Sequence, residues 1–209
     1  MPRLTESLAR RAVERTVADR HASYVDEMDR VVDATYRLIE RTGTVDPSMR
    51  DILRETGLST QAFYRYFQSK DELMLLMLDD GRRRLLGYLE HRMARADSGE
   101  KKVAEWIEGV LAQAADPTAA ARTRPFVANQ DRLAEAFPDD HQASVDALVQ
   151  QLAEALDGDR RAAEAIYLLT MAALHQHLTY GTRPTRADVA SVVQFSLAGA
   201  RSIARNKKR

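Results

Sequence analysis

The chain contains no cysteine. That absence excludes disulfides, thiolate nucleophiles and Cys-ligated metals. Long apolar runs are missing too: nothing approaches the roughly 20 residues that a membrane span needs. The first 23 residues carry five arginines but no apolar stretch of the kind a signal peptide requires. A cytoplasmic protein with no membrane association is therefore expected. No Gly-rich phosphate loop, no Gly-x-Ser-x-Gly and no metal-ligand spacing occurs. His175 and His177 would stand about 200° apart around a helix and cannot chelate together. No cofactor and no metal is expected. Asp139, Asp140 and His141, which follow a proline, read as a solvated helix start.

Net charge is also lacking, with 31 basic against 31 acidic residues. The distribution says more than the sum. Residues 71–200 hold 14 basic and 20 acidic groups, residues 1–70 hold 12 and 11, and the last nine hold five and none. The middle is acidic and the ends are not, which permits an anionic partner at one end.

What is present is helical periodicity. Residues 1–23 read as a flexible or weakly helical basic extension, with Leu8, Val13 and Val17 on one thin face. From Tyr24 to Thr42, Met28, Val31, Val32, Thr35, Leu38 and Ile39 recur at helical spacing, and Gly43 ends the run. Pro47 suits the first turn of the next helix, whose inner face is Met49, Ile52 and Leu53. Gly57 can take the left-handed conformation that closes it. Ser59 offers a cap to a second short helix, in which Phe63 and Phe67 lie four apart on the inner side. A helix, a glycine turn and a second helix is the arrangement that places a helix in the DNA major groove.

From Lys70 onward only helices are expected: Lys70 to about Ala96, Lys101–Ala115 stopped by Asp116-Pro117, Thr123–Phe137, 140–156, about Asp159–Tyr180 and Thr185–Arg205. The fold class is thus all-α. The expected organisation is an extension (1–23), a three-helix helix-turn-helix domain (24–72), a second helical domain (73–205) and a disordered basic tail (206–209).

Phosphate contacts supply most of the affinity for a duplex and base-edge contacts the sequence preference. Thr60, Gln61 and Tyr64 project away from the Phe63/Phe67 face. Gln61 can address adenine through both ends of its amide, and Thr60 a thymine methyl or a phosphate. Arg50 on the preceding helix is the candidate for a guanine or phosphate contact.

The segments RVVDATYRLIERTG, RDILRETGLS and FYRYFQSKDEL together resemble the N-terminal DNA-binding domain of the TetR family of transcriptional regulators. The likeness runs without a gap from about Arg30 to Leu73, and its most telling part is Tyr64, Phe67, Ser69, Lys70 and Leu73. It departs in Tyr66, where histidine is frequent, and in Leu53, where alanine is. The resemblance implies that Tyr64, Tyr66 and Lys70 hold the DNA backbone; Ser59 and Arg65 complete the candidate DNA-facing set. It also implies a ligand-responsive regulator, most often a repressor, acting on a palindromic double-stranded operator as a homodimer.

The last two helices are the expected dimer interface, through Ile166, Leu169, Ala173 and Leu174 on one and Val189, Val192, Val193, Phe195, Leu197 and Ala200 on the other. The effector pocket is likewise implied by the family, with an unknown small molecule as its occupant. Its candidates are Trp106, Phe126, Asn129, Tyr167, Met171, His175 and Tyr180, bulky or polar groups on apolar helices. Two alternatives stand beside this reading: a dimeric DNA-binding regulator without an effector, and a helical enzyme.

Overall fold

The computed structural model describes residues 3–207, with the backbone alone for 3–9, 11–13, 16–21, 23, 206 and 207. Ten helices make up the described residues: α1 (Arg3–Thr42), α2 (Met49–Thr56), α3 (Thr60–Tyr66), α4 (Lys70–Met93), α5 (Gly99–Ala115), α6 (Pro117–Ala128), α7 (Gln130–Ala136), α8 (Pro138–Ala155), α9 (Arg160–Tyr180) and α10 (Arg186–Lys207). The chain divides into two compact units. The first is 1–42 with 47–73, and the second is 43–46 with 74–209.

In the first unit, residues 3–23 continue α1 without a break, and the side chains of Leu8, Val13 and Val17 lie outside the described residues. From Val31 to Ile39 the inner face of α1 is buried, and the Thr35 hydroxyl hides its polarity by donating to Val31 O at 2.8 Å. Ile52 of α2, Phe63 of α3, Phe67 and Leu73 close this core, each at most 1% exposed. Burying side chains of this size contributes about 1.5–3 kcal/mol each before chain entropy is counted.

The second unit is built on α5, α8 and α9. Trp106, Ile107 and Val110 of α5 meet Leu148 and Leu152 of α8 and Ile166 and Leu174 of α9 in one cluster. Val189, Val193 and Leu197 of α10 pack on its margin, and Arg201 fastens α10 to α5 through two 2.6 Å hydrogen bonds to Glu100. Ile166 and Leu174, expected at a dimer interface, thus complete the monomer's own core.

The region expected to form one helix over 123–137 instead forms two. Asp116 does more than stop α5: its carboxylate caps α6 by accepting from Ala119 N at 2.7 Å, with Pro117 in the first turn. The break comes at Asn129, whose side chain donates to Pro125 O at 2.7 Å and competes with the helical ladder. At the end of the chain α10 runs on through Lys207, so half of the tail expected to be disordered is helical, while residues 208 and 209 lie outside the described residues.

Candidate nucleic-acid interface

Local chemistry fixes α2 and α3. Ser48 caps α2 by accepting from Asp51 N at 3.2 Å and donates to the Asp51 carboxylate at 2.6 Å. That hydrogen bond, reinforced by the Arg54 and Arg50 charges, holds the Asp51 carboxyl below its usual range. Gly57 ends α2 at φ 71°, a conformation that side chains resist. Ser59 then caps α3 by accepting from Ala62 N at 3.1 Å. Ser59 is exposed, and its hydroxyl serves the helix as the cap that the sequence predicts.

α3 is two-sided. Phe63 and Phe67 are buried with ring centroids 5.1 Å apart, while Thr60, Gln61, Tyr64 and Arg65 are exposed, Tyr64 to 55%. Arg50 is exposed on α2. The start of α4 forms a reciprocal cap, in which Ser69 accepts from Glu72 N at 3.0 Å while the Glu72 carboxylate accepts from Gln68 N. Lys70 stands half-buried in that first turn and also engages a group of its own chain.

Tyr24 joins this site without any signal in the sequence. Its hydroxyl donates to Arg65 O at 2.8 Å and reaches Tyr66 O at 3.3 Å, both carbonyls at the end of α3. Its ring lies 4.9 Å from that of Tyr66, and the Arg65 guanidinium stands 5.7 Å over the Tyr66 ring. Tyr66 is therefore held from two sides. Nothing in the local pattern around Tyr24 signals a partner 41 residues away.

In the second unit the expected effector residues do not form one group. Trp106 and Phe126 are buried in the core. Tyr167 and Met171 pack beside it, with the Trp106 and Tyr167 rings 6.5 Å apart. His175 is exposed and Tyr180 is 75% exposed. A helix advances about 100° per residue, so α9 carries these two positions away from the face that holds Tyr167. Asn129 is committed as well: it donates to Val45 O at 2.9 Å and accepts from Arg132 at 2.8 Å.

Two unexpected residues join Tyr167. Arg82 of α4 and His141 of α8 are both half-buried and lie 3.5 Å apart, Arg82 Nη2 to His141 Nδ1. Burial, and then the Arg82 charge, pushes His141 below the usual histidine value, and burial pushes the Tyr167 hydroxyl up. Sequence showed only three consecutive arginines, with no sign of which one turns inward. An open groove of about 520 Å³ lies elsewhere, between Glu108 of α5 and Thr185, Val189 and Val193 around the start of α10; none of the expected pocket residues lines it. Among the described residues no group of three or more His, Cys, Asp or Glu is placed to hold a metal, and no helix is long and apolar enough to cross a membrane.

The fold and this site define a class: an all-α protein whose N-terminal unit presents a helix-turn-helix with an exposed second helix. A model of the family described as bacterial regulatory proteins, tetR family, matches residues 31–77. Residues 31–77 are thus similar to the N-terminal region of the tetR family of bacterial regulatory proteins.

Over 52 residues it is 42% identical to the HTH-type transcriptional repressor DrrR1 of Streptomyces coeruleorubidus, a match that spans 25% of this chain and 19% of that protein. Similar solved folds include a TetR transcription regulator from Haloarcula marismortui, with TM-score 0.66, 17% identity, and 85% of this chain and 98% of that one covered. The fatty acid degradation regulator FadR from Bacillus halodurans gives 0.64 and 19%, with 83% and 95% covered. At these identities the structures support the fold alone.

Proposed function

We propose that this protein is a transcriptional repressor that binds a palindromic operator as a homodimer in the cytoplasm and is released by a small molecule. The observation that carries the DNA-binding part is the two-sided α3. Phe63, and Phe67 just past its end, are consumed by the core, leaving Thr60, Gln61 and Tyr64 exposed together at the end where a recognition helix meets bases. Gln61 and Arg50 read base edges, Thr60 touches a thymine methyl or a phosphate, and Tyr64, Arg65, Tyr66 and Lys70 grip phosphates. Effector and DNA then weaken each other reciprocally through linkage.

Footprinting on the DNA upstream of its own gene, followed by titration of the protected segment, tests the reading. Lys70→Ala should weaken binding to every sequence and lower the magnitude of the salt slope by about one. Gln61→Ala should instead relax discrimination at one base position, a difference of about 1–3 kcal/mol. If Lys70→Ala leaves nonspecific affinity and salt slope untouched, the phosphate grip is wrongly placed. The alternative of a DNA-binding dimer without an effector draws support from Trp106 and Phe126, which fill the core. A compound that binds the protein tightly and leaves operator affinity unchanged would favour it.

A further inference from the structure

We propose that Arg82 is the charge anchor for an anionic small molecule, an organic carboxylate or phosphate with an apolar body, bound where α4, α5, α8 and α9 converge. This rests on the ligand-responsive reading above and names the chemistry of that ligand.

The three consecutive arginines of α4, Arg82, Arg83 and Arg84, behave differently. Arg83 and Arg84 are exposed and pair with Asp79 at 3.3 Å and Asp80 at 2.8 Å. Arg82 is half-buried, and no carboxylate among the described residues is ion-paired with it. Asp79 is the one carboxylate that acts on it, from a distance and while engaged by Arg83. A guanidinium keeps its charge under all ordinary conditions, and a charge withdrawn from water without a counter-ion is destabilising.

The groups that face it supply no negative charge. His141 is held toward its neutral form and Tyr167 toward its protonated form, in each case first by burial. A second donor in this neighbourhood lacks an acceptor as well. Trp106, whose ring adjoins Tyr167, is fully buried and its indole N–H has no hydrogen-bond partner. An anionic head carries several lone pairs and complements both donors. One helical turn on from Arg82, His141 and Tyr167, the side chains of Leu86, Val145 and Met171 are only partly buried against the core and suit an apolar body.

Trp106 is the sole tryptophan, so its emission reports on this site in the intact protein. Three probes that share one alkyl body isolate the head group: octanoate, octyl phosphate and octanamide. The expected result is a saturable change in Trp106 emission with octanoate or octyl phosphate, at an affinity about tenfold or more above that of octanamide, the scale of a hydrogen bond to a charged group. The better of the two anions identifies the head. In Arg82→Gln, checked for unchanged helicity by circular dichroism, anions and amide should bind alike; Arg82→Lys should retain part of the preference.

Equal affinity for all three heads in the wild type overturns the proposal. So does the absence of any response to the anions up to millimolar concentration, or an anion preference that survives Arg82→Gln. The measurement needs no DNA, so its failure beside intact operator binding indicts the anion site and spares the DNA-binding reading.

Discussion

Tyr24 satisfies carbonyls that the end of α3 would otherwise leave to water and holds the ring of Tyr66, a side chain proposed to touch phosphate. Tyr24→Phe removes the hydroxyl and keeps the ring. A net hydrogen bond is worth about 0.5–1.5 kcal/mol, so DNA affinity should fall roughly three- to tenfold by fluorescence anisotropy. If Tyr24 acts through Tyr66, its loss should cost far less in a Tyr66→Phe background; equal losses in both backgrounds would assign Tyr24 a general packing role.

His141 gives a second prediction at this scale. Its folded-state value lies below the ordinary 6.5, so between the two values the unfolded chain binds more protons than the folded one. Stability therefore rises with pH through that window and is lost as pH falls below about 6.5. The melting temperature of wild type should drop more between pH 7.5 and 5.5 than that of His141→Gln; parallel profiles would remove His141 from the pH response. Phe63 and Phe67 were legible in sequence because a spacing of four defines a face. Tyr24, Arg82 and His141 were not, because their partners lie 41 to 59 positions away and periodicity names faces, never partners.

At the scale of elements, most helices could be read from their caps and apolar spacing. The exceptions turn on single polar side chains. Asp116-Pro117 reads equally well as the end of one helix and the start of another, and only the Asp116 bond to Ala119 N decides between them. Asn129 breaks a helix whose apolar pattern runs on through it.

Glycine shows the same dependence on surroundings, with a testable sign. Gly→Ala within an exposed helix should stabilise by about 0.5–1 kcal/mol. Gly87 in α4 has nothing within 4 Å of a new Cβ and should follow that rule. Gly99, at the start of α5, would place its Cβ 2.2 Å from Ala155 O. The obstacle is the backbone of α8 and not a flexible side chain, so helix packing must shift, at a cost of about 1–3 kcal/mol. Urea unfolding should show Gly99→Ala destabilised and Gly87→Ala stabilised. A Gly99→Ala variant at least as stable as wild type would mean that α5 and α8 are not in contact there.

For the whole molecule, the unanswered surface is the outer side of the last two helices. Leu168 and Tyr180 of α9 and Phe195 of α10 are 65%, 75% and 72% exposed. Single exposed apolar residues are ordinary, but these belong to neighbouring helices and are accompanied by exposed Ala172, Ala198 and Gly199, which let a second backbone approach closely. A palindromic operator presents half-sites about 34–36 Å apart or multiples of that, and a two-fold protein is the matching solution. The wide apolar faces were evident in sequence. Their division between the monomer core, which takes Ile166 and Leu174, and the outer surface, which keeps Phe195, required the packed helices. Phe195→Asp tests the outer face directly, because a residue so exposed leaves the monomer core untouched. If wild type is the proposed dimer, the variant should keep its helicity and melting behaviour under conditions that favour monomer, sediment as a monomer at concentrations where wild type dimerises, and bind a full palindrome no better than an isolated half-site. A variant that remains dimeric and still prefers the palindrome would place the dimer interface on another face.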